Sequence, residues 1–92
     1  MADVIAHEQK HLEQYTRFPD CKAFYAWYDT PKGMLAAEAE AYRAGWCVSG
    51  KMGADTVSLR SLYLQILVHR YVPGTAIYEA SQEFNKYGAC PK

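Results

Sequence analysis

Pro19, Asp29-Thr30-Pro31 and Pro73-Gly74 cut this chain into short stretches, within which apolar residues recur at helical spacing instead of alternating. Over residues 3–17, Val4, Ile5, Leu12 and Tyr15 follow that spacing with Ala6 beside them, and Asp3 stands where it can cap a first turn. Pro19 closes this helix. Residues 21–28 read as a second helix or a few irregular turns, with Phe24, Tyr25, Trp27 and Tyr28 as packing. Asp29-Thr30-Pro31 supplies a cap and a first-turn proline for the alanine-rich run 34–44, which Gly45 closes. Segment 45–54 holds three of the six glycines and is expected to be the main loop. Asp55 or Thr56 starts a fourth helix running to about Tyr71, and residues 75–87 make a last one before Gly88. No alternating run is long enough for a strand, so the expectation is an all-α bundle of four to five helices.

Ninety-two residues make one domain, 1–92, which buries only roughly 60 to 65% of its unfolded surface, so a bound metal could matter for stability. Ten Lys plus Arg balance ten Asp plus Glu without a block of like charge, which argues against nucleic acid or an anionic membrane surface as partner. The apolar run 62–68 is far short of the roughly 20 residues that cross a bilayer. No basic, apolar and small-residue succession of a secretory signal is read at the N-terminus, and a cytoplasmic location is the default expectation. Cys21, Cys47 and Cys90 are an odd number at spacings unlike a zinc knuckle, and buried or idle thiols are expected. One bridge, Cys47 with Cys90, is the open alternative.

The run His7-Glu8-Gln9-Lys10-His11 is an HExxH pattern on the first helix. Histidines four apart lie about one turn from each other, so both imidazoles project from one face and suit Zn²⁺. Glu8 follows the first of them, where its carboxylate can take a proton from a water activated by the metal. The plainer reading makes His7 and His11 solvated residues on a face shared with Glu8, Lys10 and Gln14. A second acidic element, Glu38 to Tyr42, stands on the alanine-rich helix, whose small side chains allow a neighbouring helix to approach.

His7-Glu8-Gln9-Lys10-His11-Leu12-Glu13-Gln14 followed by Glu38-Ala39-Glu40-Ala41-Tyr42 resembles the gluzincin metallopeptidase pattern HExxHxxQ followed by ExEA, over roughly residues 4–45. The resemblance implies a zincin-like helical core, as in the compact minigluzincins, with His7, His11 and Glu38 as zinc ligands and Glu8 as general base. Glu40 is the alternative ligand, since two residues along a helix swing a side chain through about 200° and only one of the pair can face the metal. Otherwise Glu40 is expected to pair with Arg43. Tyr42 replaces an acidic residue of related patterns and could hydrogen-bond a ligand. The small β-sheet that usually precedes this helix and holds an extended peptide is not seen, so a protein partner could complete it. His69, Arg70 and Tyr71 are candidates for stabilising an oxyanion. The implied function is zinc-dependent hydrolysis of a peptide or protein substrate. The alternative is a non-catalytic zinc-binding or protein-interaction module that retains the ligands.

Overall fold

A computed structural model describes residues 2–91. Five helices follow one another: α1 (Ala2–Thr16), α2 (Cys21–Tyr28), α3 (Pro31–Lys51), α4 (Thr56–Ile66) and α5 (Ile77–Asn85). α4 runs directly into a π-helical turn, Leu67–Tyr71. No strand occurs among the described residues, so the chain is an all-α bundle. None of these helices is long and apolar enough to cross a membrane.

Local chemistry sets where the helices start. The Asp20 carboxylate accepts from the Ala23 N–H at 2.8 Å, and the Thr30 hydroxyl accepts from the Gly33 N–H at 3.0 Å with Pro31 in the first turn. Asp55 accepts from the N–H groups of Val57 and Ser58. Each cap satisfies donors that a helix start otherwise leaves unpaired.

α3 is the axis of the molecule. One side carries Leu35 and Ala39 into the core with Tyr63, Leu64, Leu67, Val68, Val72, Ala80 and Phe84 from the later elements. The other side receives α1, which runs antiparallel to it: Asp3 lies against Gly45, and Gln14 against Ala37. Ala37, Ala39 and Ala41 are wholly buried, and a Cβ added at Gly45 would come within 2.8 Å of the Asp3 carbonyl oxygen. That close approach brings the two motif-bearing helices together.

Two expectations are corrected here. Segment 45–54 is mostly not a loop: α3 passes through Gly45 and Gly50 and ends only at Lys51, before Gly53 turns the chain with a φ of 87°. Tertiary contacts outweigh the roughly 1 kcal/mol that each helical glycine costs. Trp46 packs on Phe84 and donates to the Thr56 carbonyl at 2.7 Å, while Gly45 meets α1. The second correction concerns the thiols, because Cys47 and Cys90 form a disulfide that ties the C-terminal tail to α3, leaving Cys21 free and exposed.

Candidate metal centre

The helical turn of α1 that carries His7 and His11 faces the middle of α3, where Glu38 is only 2% exposed. His7 Nε2 and His11 Nε2 are 3.1 Å apart. Glu38 Oε1 lies 3.2 Å from the first and Oε2 3.1 Å from the second. Of the HExxH-plus-glutamate set, all three expected ligands therefore converge.

Their spacing and chemistry fit a metal. A tetrahedral ion with bonds of about 2.0 Å keeps its ligands about 3.3 Å apart, close to the separations seen here. Two imidazole nitrogens and one carboxylate oxygen form a set suited to zinc. Glu38 Oε1 is buried with only His7 Nε2 beside it, at 3.2 Å and without a well-formed hydrogen bond, a costly state for a carboxylate oxygen that a cation would relieve.

Neighbours of the three candidate ligands hold them in place. Tyr28 donates its phenol hydrogen to Glu38 Oε2 at 2.7 Å. Burial pushes the Glu38 carboxyl up, but His11, His7 and Tyr28 beside it prevail and bring it down to about 2. The same carboxylate raises His11 above its ordinary value against the pull of burial. For Tyr28, burial and then Glu38 push the phenol well above its usual range. His11 Nδ1 meets Gln14 Oε1 at 2.9 Å.

Several sequence-based expectations change at this point. Glu40 points away from the histidines: Arg17 donates to both its oxygens, at 2.8 and 2.9 Å, in place of the expected Arg43. Arg43 instead donates to the Gly88 carbonyl oxygen. Tyr42 gives His7 no hydrogen bond. Its ring packs against the imidazole edge at 4.3 Å between centroids, and its hydroxyl is 3.4 Å from that of Tyr71. Gln14, which the plainer reading set on a solvated face, is wholly buried, and Tyr28, expected as packing, touches Glu38. The last position of HExxHxxQ was the available signal for Gln14; nothing in the sequence marked Tyr28.

Glu8 is exposed and stands on the rim of two clefts. One, of about 340 Å³, is lined by His11 and Glu38 with Leu12, Tyr15, Phe24, Tyr25 and Tyr28. The other, of about 200 Å³, brings His7 beside Val4, Tyr42, Tyr63 and Tyr71. Tyr71 is thus the member of the His69, Arg70 and Tyr71 group that borders the site. His69 is exposed and pairs with Gln65 at 2.9 Å, and Arg70 lies over the Tyr71 ring.

No family model matches the chain, and neither a curated protein nor a solved structure matches it.

Proposed function

We propose that this chain is a zinc-dependent peptidase of gluzincin type, with His7, His11 and Glu38 as ligands and Glu8 as general base. The observation that carries this reading is the convergence of His7, His11 and Glu38, whose ligand atoms lie within 4.8 Å of one another, with Glu8 on the rim of the adjoining clefts. When bound, zinc supplies Lewis acidity, acidifying a water and polarising a peptide carbonyl. Glu8 takes the proton of the attacking water and passes it to the leaving amine. The Tyr71 hydroxyl, across the smaller cleft from Glu8, is the donor best situated to stabilise developing negative charge. The larger cleft, walled by Leu12, Tyr15, Phe24 and Tyr25, suits an apolar side chain of the substrate.

A second reading, a zinc-binding or interaction module without catalysis, draws on a specific feature: no strand among the described residues offers an edge to an extended peptide. A partner supplying that edge would reconcile the two. An oxidising compartment suits the Cys47–Cys90 bond better than the cytoplasm expected by default.

The test is metal content by mass spectrometry on untagged protein, together with cleavage of a peptide library. About one zinc per chain is expected, lost in His7→Ala and Glu38→Ala. Glu8→Gln should keep the zinc and lower kcat at least a hundredfold. No zinc in the parent after loading would sink the reading, and zinc without cleavage would favour the module.

A further inference from the structure

We propose that Gln14 is a positioning residue that fixes which ring nitrogen of His11 is offered to the site, through a hydrogen-bonded chain running from Arg17 over Glu40. The proposal deepens, and rests on, the metal reading of His7, His11 and Glu38.

Gln14 and Glu38 are the two buried polar side chains among the described residues, and Gln14 is 0% exposed. An interior amide turned the wrong way round would set like groups against each other without water to relieve them. Its Nε2 donates to the Ala37 carbonyl oxygen at 2.9 Å and to Glu40 Oε1 at 2.9 Å. A carbonyl and a carboxylate can only accept, so the amino end of the amide must face α3 and Oε1 must face α1. Oε1 is the atom 2.9 Å from His11 Nδ1. An amide oxygen also only accepts, so His11 Nδ1 carries the hydrogen and donates it. Glu38 Oε2, 3.1 Å from Nε2, is an acceptor too, so the charged ring donates to both; in the neutral ring that a metal requires, Gln14 holds the hydrogen on Nδ1 and leaves Nε2 to face Glu38 and His7.

Glu40 gives the chain its direction. Arg17 grips both its oxygens from the surface, a charge-assisted fork that holds the carboxylate against the Gln14 amide. Glu40, a rival ligand by sequence alone, thus acts on the site at one remove. Gln14 takes its bearings from Ala37 and Glu40 on α3, and the ligand Glu38 lies between those two in sequence. The contact that sets the register of α1 against α3 is therefore the contact that orients the ring.

The experiment pairs histidine-ring nitrogen NMR on metal-free protein near pH 9 with zinc affinity by chelator competition. The parent should hold the His11 hydrogen on Nδ1. In Gln14→Met it should move to Nε2, where Glu38 accepts it, and zinc affinity should fall about 10- to 100-fold. Glu40→Gln retains an acceptor for Gln14 and should stay within about threefold of the parent, while Glu40→Met should weaken zinc in the same direction as Gln14→Met. Circular dichroism confirms folding, and the Glu40 pair decides the matter should Gln14→Met not fold. An unchanged His11 hydrogen and zinc affinity in Gln14→Met would overturn the proposal, as would Glu40→Gln losing as much zinc affinity as Glu40→Met. A parent that binds no zinc would overturn the metal reading alone, since the NMR comparison needs no metal.

Discussion

Glu38 is a carboxylate almost wholly removed from water, which costs several kcal/mol unless the charge is met at close range. Two imidazoles and a phenol meet it. The phenol is the contribution that no motif encodes, and Tyr28→Phe isolates it: the ring stays while the 2.7 Å hydrogen bond to Oε2 is lost. Zinc affinity should drop about tenfold, read by chelator competition, because the ligand keeps its charge but loses the partner that aims it. His7, Glu8 and His11 could be found by spacing because one helical turn fixes their relation. Tyr28 could not, since its role depends on where α2 comes to rest against α3.

At the scale of the helices, the α1–α3 contact decides whether the site exists. Gly45 sits where the Asp3 carbonyl leaves no room for a side chain, so Gly45→Ala sets a helix-propensity gain of about 1 kcal/mol against overpacking of about 1 to 3 kcal/mol. Overpacking should prevail, lowering stability by about 1 kcal/mol in a denaturant titration and weakening zinc, as α1 is pushed away from Glu38. At Gly50 an added Cβ would meet only the Thr56 methyl at 3.0 Å, and Gly50→Ala should be milder on both measures. The disulfide acts on the same stretch of this helix, at Cys47 between the two glycines. Closing a loop between residues 43 apart in sequence stabilises by roughly 4 kcal/mol in the chain-entropy picture. Reduction, or Cys90→Ser, should lower the melting temperature markedly. The tail should be released first, as the earliest rise in amide hydrogen exchange.

For the whole molecule, zinc and protons should act in opposition. His11 has its pKa raised on folding from 6.5, so without metal its stabilisation is complete below 6.5 and fades as pH rises through the folded value. Glu38 is lowered from 4.5 to about 2, so its share is present above 4.5 and is lost as pH falls toward 2. The metal-free protein should therefore be favoured most by this cluster between 4.5 and 6.5. Zinc requires unprotonated nitrogens, so its stabilisation grows over the range in which the His11 share declines. Melting curves with zinc and with chelator should nearly coincide near pH 5 and separate progressively toward pH 8. Curves that separate equally at both pH values would exclude the histidines as ligands.

Residue order alone determined that the chain is helical, because helical spacing and the breaks at Pro19, Pro31 and Pro73 are local properties of neighbouring residues. It also determined the pairing of His7 with His11 and left Glu38 and Glu40 as the two choices on α3. The tertiary structure set Glu38, not Glu40, beside the histidines, carried α3 through Gly45 and Gly50, joined Cys47 to Cys90, and made Gln14 and Tyr28 hydrogen-bond partners of His11 and Glu38. The physical reason is the same in each case: the deciding contact joins residues distant in sequence, and its strength comes from burial that only the assembled helices create.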